Sequence, residues 1–74
     1  MTAFVLIQAC GKNAKQALNR IKQIKGVKEL HIVTGPYDAI AKVEVKKPED
    51  LGPLVMGNIR AHSAICNTIT CISV

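Results

Sequence analysis

The stretch Val27-Lys28-Glu29-Leu30-His31-Ile32-Val33-Thr34-Gly35-Pro36-Tyr37-Asp38-Ala39-Ile40-Ala41-Lys42-Val43-Glu44-Val45 decides how this chain folds. Two apolar runs flank the turn Thr34-Gly35-Pro36-Tyr37-Asp38. The first alternates, with Val27, Glu29, His31 and Val33 on one side and Lys28, Leu30 and Ile32 on the other. The second sets Ala39, Ala41, Val43 and Val45 against Ile40, Lys42 and Glu44. Period-two patterning around a Gly/Pro/Asp cluster predicts a β-hairpin. Pro36 holds its own φ and biases Gly35 towards an extended conformation. Asp38 is expected to close the turn through a side-chain hydrogen bond to nearby backbone. Tyr37 is one of only two aromatic residues in the chain. An amphipathic side chain of that size at a turn calls for a packing partner or a ligand.

Upstream of the hairpin, Ala3 to Ala9 reads as a strand. Ala3, Val5, Ile7 and Ala9 form one apolar face, and Phe4 and Leu6 the other, so both faces are expected to be covered. Cys10-Gly11-Lys12 turns the chain, and Asn13 is a suitable N-cap. Ala14, Ala17, Leu18, Ile21 and Ile24 then recur at helical spacing, with lysines, glutamines and Arg20 opposite them. Gly26 supplies the stop.

Downstream, Lys46-Lys47-Pro48 ends the hairpin, and Glu49 and Asp50 suit the positive end of a second helix. Its apolar positions are Leu51, Leu54, Val55 and Ile59. If it begins at Asp50, Pro53 is its fourth residue, where the backbone N–H has no intrahelical partner. Gly52 and Gly57 each weaken it by roughly 1 kcal/mol relative to alanine, and Gly57 is a place where close packing is expected. The helix ends near His62-Ser63. The last strand runs from Ile65 to Val74, with Ile65, Asn67, Ile69, Cys71 and Ser73 on one face and Cys66, Thr68, Thr70, Ile72 and Val74 on the other.

The order β-α-β-β-α-β in 74 residues predicts one α+β domain across 1–74, a ferredoxin-like sandwich. Its four-stranded antiparallel sheet carries both helices on one face. The other face mixes apolar and short polar side chains, which calls for a second copy of the chain laid against it. The composition agrees: 49% of the chain is hydrophobic, while a domain this small buries only about 60% of its unfolded surface.

Composition also narrows the chemistry. Cys10, Cys66 and Cys71 are odd in number and form no CxxC, so neither a disulfide framework nor a structural zinc site is expected. Buried thiols in a reducing cytoplasm are expected instead. No apolar run reaches the roughly 20 residues of a membrane span. The opening Met1 to Cys10 lacks a basic flank and reads as a strand rather than a signal peptide.

The net charge is +5. Lys12, Lys15, Lys22, Lys25 and Lys28 lie on or beside the first helix with Arg20. A solvated face explains them better than a phosphate-binding one. Groove readout or base stacking has little support with two aromatics and no recognition-helix pattern. His31 and His62 lack metal-ligand spacing, and no nucleophile-base arrangement is visible. No catalytic residue, metal or cofactor is assigned.

The chain resembles the C-terminal regulatory domain of the leucine-responsive regulatory protein/AsnC family of transcription factors, over nearly its whole length. The resemblance is carried by AFVLIQA at the start, the stretch from Ile21 to Val45, LVMGNIRA in the second helix and NTITCISV at the end. Its most specific element is Gly26-Val27 followed by Val33-Thr34-Gly35-x-Tyr37-Asp38 and an alternating strand. Two departures stand out. The family's helix-turn-helix is absent from these residues, as in its stand-alone regulatory domains. His62-Ser63-Ala64-Ile65 replaces a Gly-Val pair common in the family.

The resemblance implies a dimeric α/β barrel formed through the sheets, then a ring such as an octamer or decamer. It implies an amino acid or similar small effector bound between dimers, and possible assembly with full-length family members. Matched by motif, Thr34, Gly35, Tyr37 and Asp38 line that site, with Thr68 and Thr70 of the last strand reaching it. Asp38 suits an α-ammonium group and backbone N–H groups near Gly35 suit a carboxylate. Tyr37 suits an apolar side chain. Plainer roles stand beside these: Asp38 as a turn cap, Tyr37 packed on a neighbouring subunit, and Thr68 and Thr70 as ordinary strand residues.

The function expected is an effector-binding, oligomerising module that regulates transcription through partners, without specific DNA binding of its own. The alternatives are a small dimeric α/β-barrel oxygenase or isomerase, and a purely structural assembly module. An effector site is expected between dimers, an enzyme pocket inside the monomer between sheet and helices.

Overall fold

The computed structural model describes residues 1–74. Strand β1 (Thr2–Ala9) lies inside the sheet, antiparallel to β3 (Ala39–Glu44) on one side and to β4 (Ile65–Ile72) on the other. Strand β2 (Val27–Ile32) pairs with the outer side of β3, so the spatial order is β2-β3-β1-β4. This is the ferredoxin-like arrangement read from the sequence. Helix α1 (Ala14–Lys22) and a second helical segment pack on one sheet face. The core lies between the layers: Ala3, Val5, Ile7, Ala39, Ala41 and Val43 on the sheet meet Leu18, Ile21, Leu54, Val55 and Ile59.

The alternation read for β1 and β3 holds. That of β2 and β4 does not, because each contains a β-bulge. Val27 pairs with Val43 and Glu29 with the adjacent Lys42, leaving Lys28 as an extra residue. Val27 therefore shares the helix-covered face with Leu30 and Ile32, not with Glu29 and His31. In β4, Asn67 pairs with Gln8 and Ile65 with Ala9, so Cys66 is extra. Ile65 joins Thr68, Thr70 and Ile72 on the helix side instead of Asn67 and Ile69. An inserted residue shifts a period of two by one place, which reverses every assignment beyond it. Burial explains the outcome, since both bulges turn an apolar residue, Val27 or Ile65, into the core.

Helix α1 buries Ala17, Leu18 and Ile21. Asn13 precedes it, but its side chain makes no capping bond; its carbonyl accepts the Ala17 N–H at 3.0 Å. The helix ends at Lys22, and Gly26, with φ of 101°, turns the chain into β2. That backbone angle is one only glycine adopts cheaply.

The second helical segment begins earlier than Asp50. It opens as a 3₁₀ turn at Pro48–Asp50, continues through an α-turn at Leu51–Pro53 and widens into a π-turn at Leu54–Ile59. Arg60 N–H donates to the Val55 carbonyl at 2.7 Å, an i to i+5 bond. Gly57 does not serve close packing within the chain: a Cβ there would meet nothing within 4 Å.

The cysteines also depart from expectation. All three are exposed rather than buried. Cys10, just past β1, and Cys66, in the β4 bulge, form a disulfide with their Cα atoms 6.0 Å apart, inside the usual range for such a bond. Cys10 N–H donates to the Ala64 carbonyl at 2.8 Å and holds the two strand ends together. Cys71 is free.

The second sheet face is open. Two rows cross it: His31, Ile40, Leu6 and Ile69, then Glu29, Lys42, Phe4 and Cys71. Phe4 is 38% exposed and Ile69 43%, so a single chain leaves the second face of β1 uncovered.

Candidate functional site at the hairpin turn

The turn is tied to the sheet through Asp38. Its N–H donates to the Ile7 carbonyl and its carbonyl accepts the Val33 N–H, each at 2.9 Å. Its carboxylate does not close the turn, as the sequence suggested. Oδ2 instead accepts the backbone N–H of Ala9 at 2.8 Å, satisfying the last residue of β1. Oδ1 has no partner within the chain and stays in contact with solvent. One carboxylate oxygen is thus structural and the other is available.

Beside it lies an open cleft of 440 Å³, lined by Ala9, Ala14, Lys15, Leu18, Ile32 and Asp38. Pockets for small ligands commonly span about 300–1,000 Å³. Three elements meet there: the end of β1, the first turn and a half of α1, and the end of β2. Helical spacing sets Ala14 and Leu18 one above the other with Lys15 beside them. Ile32 faces the helix side, but α1 does not reach over it, and it remains 64% exposed. A carboxylate and an ammonium group therefore flank an apolar surface without pairing: neither Lys15 nor Asp38 belongs to any ion pair of the chain.

The other candidates lie further out. Thr34 and Gly35 are exposed in the loop, and Gly35 has φ of 159°, close to extended as Pro36 implies. Tyr37 is half-buried. Thr68 pairs with Ile7 and Thr70 with Val5, both on the helix side of the edge strand β4. Asp38, just before β3, and Thr68, in β4, thus flank the same end of β1, and Thr70 lies two pairs further along. None of these five residues lines the cleft.

Lys15 does line it, and sequence reasoning placed it only on a solvated basic face. Its position beside the apolar stripe was visible; that the start of α1 sits against the end of β1 was not. A larger cleft of 820 Å³ lies at the opposite end of the sheet, where Lys25, Lys28 and Lys46 mingle with Glu44 and Asp50. It contains no residue of the turn. On the open sheet face, a hydrogen bond from His31 and the charge of Lys42 hold the Glu29 carboxyl below its usual pKa. No group of three or more His, Cys, Asp or Glu stands close enough to hold a metal ion.

A βαββαβ sandwich with one open sheet face and a charged, partly apolar cleft at its hairpin turn is the class defined by these features. The Lrp/AsnC ligand binding domain matches residues 2–74, and the chain belongs to that family. It is 36% identical over 75 residues to an uncharacterised helix-turn-helix-type transcriptional regulator of Pyrococcus furiosus, covering 97% of this chain and 50% of the relative. The chain thus spans about half the length of the curated regulators it matches. A segment of a Sulfurisphaera tokodaii homocitrate synthase is 41% identical over 51 residues, 69% of this chain but only 11% of that protein.

Among solved structures, the protein TTHA0845 of Thermus thermophilus superposes with a TM-score of 0.92 at 34% identity, covering 99% of this chain and 91% of its own. A transcriptional regulator of Neisseria meningitidis, solved as a complex with L-methionine, superposes with a TM-score of 0.90. It is 13% identical and covers 99% of this chain and 49% of its own, a likeness of fold alone.

Proposed function

We propose that this chain is an effector-binding and oligomerising module that regulates transcription through partners, and that its effector is an amino acid or similar small molecule held beside the hairpin turn. The observation that carries the reading is Asp38, a residue of the cleft lining: its Oδ2 is fixed by the Ala9 N–H while its Oδ1 has no partner within the chain. A carboxylate held in place by backbone is pre-organised to receive an ammonium group. Family membership, the helix-turn-helix relatives and the L-methionine complex of a protein with the same fold support it. Thr34, Gly35, Tyr37, Thr68 and Thr70 complete the site from neighbouring copies in an assembly of dimers. The dimer forms through the open sheet face and then closes into a ring.

Both helical segments pack against the sheet, so reading of DNA sequence falls to a partner or another domain. The cleft lies within one chain, where an enzyme pocket was expected. Its polar groups are one half-engaged carboxylate and one ammonium, without a nucleophile and base in contact, and the reading is a binding module. No helix is long and apolar enough to cross a membrane; we place the protein in the cytoplasm with its regulatory partners.

Calorimetric titration of the twenty amino acids tests the reading. At least one binds, and Asp38→Asn weakens it by about 1.5–3 kcal/mol, the range for a charge-assisted hydrogen bond. Absence of binding by every amino acid overturns it.

A further inference from the structure

We infer that a second, smaller cleft, between α1 and the turn before β4, is an anion site that takes a phosphate group, either free or at the end of a phosphomonoester. The cleft measures 200 Å³, its polar lining is Asn13, Gln16, Arg20, His62 and Ser63, and its two other lining residues are alanines. Asn13, Gln16, Ala17 and Arg20 are spaced three and four apart, so they form one stripe along α1. Ala14, Lys15 and Leu18 lie on the other side of the helix, and the cleft beside the hairpin turn shares no residue with this one.

The turn that supplies His62 and Ser63 is held by backbone. Cys10 N–H donates to the Ala64 carbonyl at 2.8 Å, and Ile65 N–H donates to the His62 carbonyl at 3.0 Å. Ile59, Ala64 and Ile65 are buried on either side of His62-Ser63 and seat the turn on the core. His62-Ser63-Ala64-Ile65 stands where a Gly-Val pair is common in the family, and such a pair brings no side-chain donor to this position.

All five polar side chains can donate a hydrogen bond, and none is a carboxylate. None of the five is engaged in a side-chain hydrogen bond or ion pair within the chain. A guanidinium fork matches two oxygens of a phosphate, and the neighbouring hydroxyl, ring and amide donors suit the remaining ones. The 820 Å³ cleft at the other end of the sheet has three lysines, but Glu44 and Asp50 line it too and oppose an anion. Pockets that enclose a whole small ligand commonly span about 300–1,000 Å³. At 200 Å³ this cleft admits a group of phosphate size and leaves the body of an ester outside.

The probes are inorganic phosphate and methyl phosphate, titrated calorimetrically at constant ionic strength. Each is expected to saturate one site per chain. Arg20→Gln is expected to weaken both about tenfold to a hundredfold, as for loss of one charge-assisted contact. His62→Phe, which keeps a ring but no donor, and Ser63→Ala are each expected to weaken both about threefold to tenfold. Lys22→Gln removes the same charge from the same helix outside the cleft and is expected to change nothing. Tighter binding of inorganic phosphate supports the free ion as occupant, and equal or tighter binding of the methyl ester supports a phosphomonoester.

Arg20 and Ser63 are exposed and outside the core, so their replacement leaves the fold intact, and unchanged thermal melting checks this. Absence of saturable binding by both probes overturns the inference. Equal weakening by Arg20→Gln and Lys22→Gln also overturns it, since that marks the general field of a chain with net charge +5 rather than a site. Neither result touches the amino-acid reading, which rests on the other cleft.

Discussion

The Asp38 carboxylate has one structural contact, and the second purpose proposed for it is to receive a ligand. The Ala9 N–H at its Oδ2 is the last backbone donor of β1, and removing the acceptor leaves that donor without a partner in a partly buried position. Asp38→Ala is therefore expected to destabilise the chain by about 1–2 kcal/mol, towards the lower part of the range for an orphaned donor because solvent is near. Asp38→Asn retains an oxygen for Ala9 and is expected to cost less than about 0.5 kcal/mol of stability while still losing ligand affinity. Urea denaturation of both variants separates loss of the acceptor from loss of the charge. Equal losses show that charge, not an acceptor, holds β1.

Glu29 has a pH signature of its own. Its folded-state pKa lies below the ordinary 4.5, chiefly through the His31 hydrogen bond and then through Lys42. A carboxyl with a lowered folded-state pKa contributes stability above its unfolded pKa and loses it as pH falls through the folded value. The stability of wild type minus that of Glu29→Gln is expected to shrink on acidification below about 4.5. A difference that is flat down to pH 3 removes the cluster as a stabilising element.

The elements that went against sequence patterning are β2 and β4. In each, one inserted residue lets an apolar side chain at the strand start join the core. At β4 the inserted residue is Cys66, and the bulge sets it beside Cys10, 56 positions away in sequence. In the chain-entropy picture, closing so long a loop stabilises by about 4 kcal/mol, less any strain. Thiol titration of the unreduced, denatured chain is expected to find one reactive cysteine, Cys71, and three after reduction. Cys10→Ser is expected to lower stability towards that amount. Three free thiols before reduction show the pair to be open in the isolated protein.

The whole molecule is a two-layer sandwich in which β1 lies inside the sheet and has one face covered. Phe4, Leu6, Ile40 and Ile69 stand on the other face beside the Glu29–Lys42 pair. Such an apolar centre edged by charges suits a second copy, whose own sheet supplies the missing layer. Ile69→Asp adds a charge to the open face without entering the core, since Ile69 is 43% exposed. Wild type is expected to sediment as a dimer or larger at micromolar concentration. The variant is expected to fall to the 8.0 kDa chain with its helical circular dichroism intact. A monomeric wild type excludes the sheet-face dimer.

The sequence by itself determined the element order, the hairpin, the alternation of β1 and β3 and the turn that carries Asp38. These follow from local periodicity and from Gly and Pro chemistry, which neighbouring residues impose without help from the rest of the chain. Only the tertiary structure decided which face Val27 and Ile65 take, because a bulge is chosen by what the core can bury and not by the alternation around it. It also decided that Cys10 meets Cys66, that the Asp38 carboxylate reaches Ala9 rather than its own turn, and that Lys15 and Asp38 line one cleft. Each pairs residues distant in the chain, and that proximity exists only once the strands are in register and α1 is seated on the sheet.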